Sequence, residues 1–358
     1  MHITTALLLT SASLWANTLR DIQRPPASPP ADMPVLTSVM TNRAGQPVKT
    51  GADWQKRREE LREDWTKVLG ELPHTKASLD PEFFAKEDMT TYTRRKMTYQ
   101  IEEGVRIDAM LLEPKGTKDR LPGIVLFHPT YTNNYARAVG LEGDDPERAH
   151  AVQLVGRGYV VLAPRCFIYS ELPKGFQKTG ERIWEACARW MRQSHPDWRS
   201  ITRMTWDGIR AIDMIQTLPN VDAGRIGIFG HSLGAKQVIY VGAFDERVKC
   251  AVSSEGGVGL KFSNWDAVWY LGPDIKKPEF IRDHHELLAM TAPRPFLLLA
   301  GNSADNDKSW AFIEAALPVY RLLGAPENVG WLNHGLGHRY GAEARTLAEE
   351  FFDRHLKK

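Results

Sequence analysis

Short apolar runs alternate with helical stretches through the last two thirds of this 358-residue chain. The runs are continuous rather than alternating in polarity, which is typical of strands covered on both faces. Strands of this kind, separated by helices, predict an α/β fold whose mostly parallel central sheet is flanked by helices and joined by right-handed crossovers. The predicted strands are 123–127, 159–163, 225–229, 248–253, 295–300 and 329–332.

The chain before these runs has a different composition. Residues 24–34 contain five prolines and predict an extended linker. Residues 53–69 place apolar side chains on one helical face and end at Gly70, which predicts a helix. We therefore predict a proline-rich linker and helical extension over residues 17–94 and a main α/β domain over 95–358.

Residues 1–16 contain no Lys, Arg, Asp or Glu and hold a short apolar centre at 6–9, followed by small residues. This pattern is typical of a signal peptide, so we expect an exported protein, periplasmic or secreted. If the segment is not a signal, a cytoplasmic protein is the alternative.

Charge and cysteine content narrow the possible partners. The chain has 46 Lys and Arg against 44 Asp and Glu, and this balance argues against nucleic acid as the main partner. The longest apolar stretches are too short for a membrane span. Three cysteines cannot form a disulfide framework, and the run Asp283–Glu286 lacks zinc-site spacing and predicts a solvated helix start.

The most informative motif is Gly230-His-Ser232-Leu-Gly234, between a predicted strand and a predicted helix over 235–243. Such a turn holds its central residue in a strained conformation and points its side chain out of the sheet. Small neighbours are needed where the backbone passes close to other segments. Ser232 is therefore the predicted nucleophile.

A serine hydroxyl needs a general base, and the base needs a carboxylate that orients it. In the glycine-rich loop after the last strand we predict His338 as the base and His334 as a supporting hydrogen-bonding residue. Asp305, shortly after the strand 295–300, is the predicted acid, with Asp307 as its alternate. Glu255, which follows the strand 248–253, is a second candidate whose other possible roles are an ion pair or a substrate contact.

Two backbone N–H groups are candidates for holding a developing oxyanion. Leu233 follows the nucleophile at the start of a helix, and Thr130 lies in the loop after the strand 123–127. Pro129 is excluded because it has no N–H.

Together these segments resemble the α/β-hydrolase superfamily, in its dienelactone-hydrolase-like and acetyl-xylan-esterase-like bacterial branch. The resemblance covers residues 95–356 and rests on HPT, RGYVVLAPR, VDAGRIGIFGHSLGAK, FDERVKCAVSSEGG, APRPFLLLAGNSAD and NHGLGH. The chain also resembles glucuronoyl esterases of carbohydrate esterase family fifteen, in Lys236 four positions after the serine and in Glu255 after the next strand. Lys236 is therefore a predicted substrate contact. It departs from them at Leu233, where they have arginine.

The resemblance implies an α/β-hydrolase fold and a serine esterase that forms an acyl-enzyme on a small-molecule or carbohydrate ester, with no cofactor or metal. Trp265, Trp269 and Trp310 fall near loops expected to rim the site, where they could stack on sugar rings or pack in the core. Two alternatives remain: a prolyl-oligopeptidase-like peptidase, and a non-catalytic binding protein on a hydrolase scaffold.

Overall fold

The computed structural model describes residues 22–130, 132–143, 145, 147–169 and 180–357. The predicted signal peptide at residues 1–16 lies outside them. Nine strands of the described chain form one sheet. They are β1 (Glu82–Asp88), β2 (Tyr92–Glu102), β3 (Val105–Pro114), β4 (Leu121–Phe127), β5 (Val160–Pro164), β6 (Val221–His231), β7 (Val248–Ser254), β8 (Phe296–Ala300) and β9 (Val329–Asn333).

Helices connect these strands and cover both faces of the sheet. They are α1 (Gly51–Leu69), α2 (Thr132–Ala138), α3 (His150–Gly156), α4 (Ile183–Ser194), α5 (Ser200–Gln216), α6 (Leu233–Phe244), α7 (Val268–Leu271), α8 (His285–Thr291), α9 (Trp310–Leu322) and α10 (Ala342–Leu356). Within the described residues, no helix combines the length and the apolar character needed to cross a bilayer.

The strand order is β1-β2-β3-β5-β4-β6-β7-β8-β9. Strands β4 to β9 pair in parallel, and β1, β2, β3 and β5 pair antiparallel at one side. Each predicted apolar run lies in one of the parallel strands β4 to β9. The predicted α/β-hydrolase fold with a mostly parallel sheet is confirmed.

Side chains of β4 explain why its sequence is apolar at every position. Val125 and Phe127 belong to a hydrophobic cluster on one face of the sheet, and Ile124 and Leu126 belong to a second cluster on the other face. Burial of each such side chain stabilises the fold by roughly 1.5–3 kcal/mol. The sheet is therefore a rigid platform whose carboxyl-terminal edge carries the loops of the site.

The N-terminal extension shares this core. Helix α1 begins with a capping box between Thr50 and Asp53 and ends before Gly70, as the sequence predicts. Trp54 and Trp65 of α1 are fully buried in the larger hydrophobic cluster. The predicted domain boundary at residue 95 falls inside β2, so the sheet begins upstream of it.

The segment Asp283–Glu286 is buried rather than solvated, so that prediction was wrong. The Nδ1–H of His284 donates to the Val258 carbonyl oxygen at 2.7 Å, and its Nε2 accepts from the Tyr240 hydroxyl at 2.8 Å. Trp65 donates its indole N–H to Glu286 at 2.8 Å. These polar groups can be buried because segments distant along the chain, the N-terminal extension among them, supply partners that local sequence does not reveal.

The three cysteines are unbridged.

Candidate active site

Ser232 occupies a sharp turn between β6 and α6. Its backbone has φ 58° and ψ −117°, a region that costs a non-glycine residue about 1–3 kcal/mol. A Cβ atom at Gly230 would lie 2.2 Å from the Gly234 carbonyl carbon, and one at Gly234 would lie 1.9 Å from the Phe127 carbonyl oxygen. The two glycines therefore let the turn close against itself and against β4.

The turn places Ser232 on the wall of a cavity of about 840 Å³. His338, Thr130 and His231 line the same cavity. The Ser232 N–H donates to the Ser254 carbonyl oxygen of β7 at 2.8 Å, which ties the turn to the neighbouring strand. The structure thus brings together the predicted nucleophile and the predicted base.

His338 pairs with Glu255. The distance between His338 Nδ1 and Glu255 Oε2 is 3.0 Å, and the Glu255 side chain is fully buried. Glu255 also accepts the N–H of Ala304 at 2.8 Å and the N–H of Gly301. Three donors hold this carboxylate in place, and the imidazole nitrogen opposite to Nδ1 is left for other contacts.

Asp305, the predicted acid, does not contact His338. Its carboxylate accepts the N–H groups of Gly257 and Val258, each at 2.7 Å, and the Ser309 hydroxyl at 2.9 Å. Burial raises the pKa of Asp305. The assignment of Asp305 as the orienting acid is therefore corrected: this carboxylate holds the loop after β7, and the second candidate, Glu255, faces the imidazole.

Asp307, the alternate acid, and His334, the predicted supporting residue, bond to groups other than His338. Asp307 accepts the side-chain amide of Asn333 at 2.7 Å, which links the loops after β8 and β9. His334 Nδ1 accepts the N–H of Leu336 at 3.1 Å, and burial lowers the pKa of His334. Neither side chain lines the cavity that contains Ser232.

The predicted oxyanion donors flank the serine. Leu233 is the first residue of α6, so its N–H has no acceptor within the helix. Thr130 lies in the loop after β4, and both residues line a smaller cavity of about 450 Å³ with Ser232. Their placement fits two N–H groups on either side of the reacting carbonyl oxygen.

Lys236, predicted as a substrate contact, is almost fully buried in the first turns of α6. Its Nζ lies 3.9 Å from the ring centroid of Trp265 and 5.2 Å from that of Tyr270. Within the described chain Nζ has no hydrogen-bond acceptor, and burial lowers the pKa of Lys236 to about 7. Lys236 lines the smaller cavity, where a ligand oxygen could accept from it.

The three predicted tryptophans have different surroundings. Trp265 has no exposed surface and packs against Tyr240 and Lys236, and Trp310 packs against Trp331 outside the cavity. Of the three predicted tryptophans, Trp269 lines the cavity. Sequence reasoning missed Trp184, which lines it as well; its position in the long connection after β5 was the available signal.

His231 is a further residue near the base. Its ring centroid lies 4.9 Å from that of His338, and its Nδ1 is 3.0 Å from the Ser254 hydroxyl. Burial lowers the pKa of His231 well below its ordinary value, so the ring is neutral at pH 7. His231 therefore packs beside His338, which is the imidazole that faces Glu255.

Comparisons with known proteins agree with this architecture. Residues 47–256, more than half of the chain, match the family model described as acetyl xylan esterase. A 4-O-methyl-glucuronoyl methylesterase of Wolfiporia cocos is 28% identical over 194 residues, which cover 44% of this chain and 46% of that protein. The chain therefore spans about half the length of that relative. A putative hydrolase, YtaP, of Bacillus subtilis is 26% identical over 84% of this chain and all of its own length.

Solved structures show the same fold. A glucuronoyl esterase from Solibacter usitatus superposes with a TM-score of 0.73 at 19% identity, covering 91% of this chain and 99% of that one. A putative acetyl xylan esterase from Bacteroides fragilis gives a TM-score of 0.62 at 17% identity, covering 90% of this chain and 82% of that one. The predicted resemblance to both kinds of esterase is confirmed, and the predicted class, a carboxylic ester hydrolase, is confirmed at the level of the family. With the family match running through the nucleophile turn and the strand after it, the chain belongs to the acetyl xylan esterase family.

Proposed function

We propose that this protein hydrolyses carboxylic esters of saccharides through an acyl-enzyme on Ser232. The observation that carries the proposal is the pairing of His338 Nδ1 with the buried Glu255 carboxylate, 3.0 Å away, beside the strained turn that presents Ser232. Together these three side chains supply a nucleophile, a base and an orienting acid.

In acylation, Ser232 Oγ attacks the ester carbonyl carbon and its proton moves to Nε2 of His338. The tetrahedral intermediate collapses, the bond to the alcohol oxygen breaks, and His338 returns the proton to that oxygen. Water then attacks the acyl-enzyme by the same route, releasing the acid and restoring the serine. Glu255 accepts the Nδ1 proton's hydrogen bond throughout and stabilises the charged imidazole.

The oxyanion of each intermediate is stabilised by the N–H groups of Leu233 and Thr130. A preorganised donor of this kind lowers the barrier by about 3–4 kcal/mol. Since Leu233 begins α6, the helix N-terminus adds a partial positive charge at the same place.

A saccharide as the alcohol or acid part of the ester is supported by the walls of the cavity. Trp269 and Trp184 offer indole faces for a sugar ring, and Lys236 offers an unpaired buried amine to a hydroxyl or carbonyl oxygen. The names of the related acetyl xylan and glucuronoyl esterases support the same substrate class.

A serine-directed fluorophosphonate tests the nucleophile. We expect stoichiometric labelling of the wild type, none of Ser232→Ala, and full labelling of Ser194→Ala, an exposed serine at the end of α4. Hydrolysis of 4-nitrophenyl acetate and acetylated xylan should follow the labelling. Absence of labelling in folded wild-type protein would favour a non-catalytic binding protein, and cleavage of proline-containing peptides without ester hydrolysis would favour the peptidase.

We also propose export, supported by the apolar segment in residues 1–16 and by the extracellular occurrence of plant polysaccharides as substrates. Mass spectrometry of the protein from its native host tests this. A mature N-terminus downstream of residue 16 in the exported fraction is expected; an intact N-terminus on cytoplasmic protein would contradict it.

A further inference from the structure

The catalytic cavity continues into a second one. A cavity of about 510 Å³ shares Arg182, Trp184, Ala267 and Trp269 with the cavity that contains Ser232. These four residues lie where the two cavities meet. A substrate chain that passes the two tryptophans from Ser232 would enter the second cavity.

The second cavity, which we call the arginine cavity, is lined by four guanidinium groups. Arg182 precedes α4, and Arg189 and Arg192 lie three residues apart on that helix, so they share one face. Arg199 precedes α5 and lies against Gly272, where a Cβ atom would be 3.3 Å from its Cζ.

Carboxylates neutralise only part of this charge. Arg189 pairs with Glu181 at 2.6 Å, and Arg199 pairs with Asp274 at 3.3 Å. Glu185 also lines the cavity, and its carboxylate accepts the backbone N–H of Arg182 at 3.0 Å.

Two guanidinium groups are left without a counter-charge. In the part of the chain that the structure describes, neither Arg182 nor Arg192 forms an ion pair with a carboxylate. The pKa of Arg192 is lowered by partial burial and by the nearby charges of Arg199 and Arg189, as expected for cations gathered around a space with too few anions.

The junction between the cavities suits a sugar ring. The Arg182 guanidinium lies 5.3 Å from the ring centroid of Trp184 and keeps this indole in place, and Trp269 packs on Tyr270 with ring centroids 3.8 Å apart. Both tryptophans are half-buried and line both cavities.

We propose that the arginine cavity binds a free carboxylate carried by a sugar unit of the substrate, so that the preferred substrate is an ester on an acidic oligosaccharide. This inference rests on the proposed esterase function. Guanidinium groups bind carboxylates through paired, charge-assisted hydrogen bonds, and the substrate carboxylate would pair with Arg182 and Arg192, for which the described residues provide no carboxylate partner. The tryptophans at the junction stack on the intervening ring.

The test compares two pools of acetylated xylo-oligosaccharides, one with free uronic acid units and one in which the same carboxyl groups are reduced to alcohols. The enzymes are the wild type, the double variant Arg182→Gln/Arg192→Gln, and Arg321→Gln as matched control. Arg321 is an exposed arginine on α9 that lines neither cavity and forms no ion pair with the described residues.

We expect the wild type to prefer the acidic pool by about 5- to 50-fold in kcat/KM, mostly through KM, and to lose this preference as salt is raised. The double variant should treat both pools alike and still hydrolyse 4-nitrophenyl acetate through Ser232. Arg321→Gln should behave as wild type.

Equal kcat/KM for the two pools in the wild type, or a preference that survives in the double variant, would overturn the inference. So would hydrolysis of 4-nitrophenyl acetate without hydrolysis of either pool. In the first two cases Ser232-dependent hydrolysis of saccharide esters persists and the proposed function stands. In the third case the esterase activity stands, but its assignment to saccharide esters is refuted together with the inference. Loss of activity on every ester, including 4-nitrophenyl acetate, refutes the proposed function instead.

Discussion

Replacing Glu255 by glutamine should separate catalysis from folding at this site. The carboxylate serves three donors, with His338 and Ala304 on one oxygen and Gly301 on the other. An amide has one acceptor oxygen, so at least one buried donor loses its acceptor, which costs about 1–3 kcal/mol of stability. The amide also cannot balance the charge of the imidazole that forms during attack.

Loss of the orienting acid of a serine triad lowers kcat by about 10²- to 10⁴-fold, which is roughly 3 to 5.5 kcal/mol of barrier. Asp305→Asn is the matched control, because it makes the same carboxylate-to-amide change in an equally buried group. Its three donors come from the loop after β7 and from Ser309. We expect a stability loss of about 1–3 kcal/mol and a fall in kcat of less than about tenfold.

The assay is pre-steady-state hydrolysis of 4-nitrophenyl acetate, with thermal unfolding of each variant to show that the compared proteins are folded. The acylation rate should fall severely in Glu255→Gln and little in Asp305→Asn. The opposite ranking, with both variants folded, would refute the assignment of Glu255 as the acid.

Three further predictions concern the turn, the buried amine and the aromatic wall. Gly234→Ala should destabilise the protein by about 3 kcal/mol or more in thermal unfolding, because the new Cβ atom would overlap the backbone of β4. Gly242→Ala is the control: its Cβ atom would have no neighbour nearer than 3.6 Å, so the change should be neutral or stabilising by up to about 1 kcal/mol. Lys236→Met should be more stable than the wild type below pH 7, and this advantage should shrink as the pH rises toward 10.5. The pKa of Lys236 is about 7 in the folded protein and about 10.5 in the unfolded chain, so between these values only the unfolded chain holds the proton. The free energy of unfolding of the wild type therefore rises with pH in this window, by at most about 1.4 kcal/mol per pH unit. Trp269→Ala should lower kcat/KM for acetylated oligosaccharides by about 10-fold and leave 4-nitrophenyl acetate hydrolysis unchanged. Trp310 is buried outside the cavity, so Trp310→Ala should lower the free energy of unfolding by about 3–5 kcal/mol without changing substrate preference.

Each of these has a contrary outcome. Equal melting temperatures for the two glycine variants would mean that the turn has more space than the structure gives it. A stability difference between Lys236→Met and the wild type that does not change with pH would mean that the amine is not desolvated. An equal effect of Trp269→Ala on both kinds of ester would place its role in folding or in the chemistry rather than in sugar binding.

Local sequence was sufficient for the features that depend on neighbouring residues along the chain. Continuous apolar runs predicted β4 to β9, since a strand covered on both faces needs an apolar side chain at each position. The glycines around Ser232 predicted the nucleophile turn. The turn itself brings the backbone close to other atoms at Gly230 and Gly234, so the need for glycine is visible in the local sequence.

The tertiary structure decided the features that depend on which distant segments meet. Glu255 and Asp305 each follow a strand of the same sheet, and only the path of the loops shows that His338 returns to the first of them. Trp265 and Trp269 lie in the same connection between β7 and β8. Trp265 packs beside Lys236, whereas Trp269 lines the cavity, and only the tertiary structure shows this difference. Periodicity and motifs indicate which side chains a segment can bury and where its backbone can turn. Which side chains meet across 40 to 100 residues of sequence is set by the packing of several segments, and no single segment encodes it.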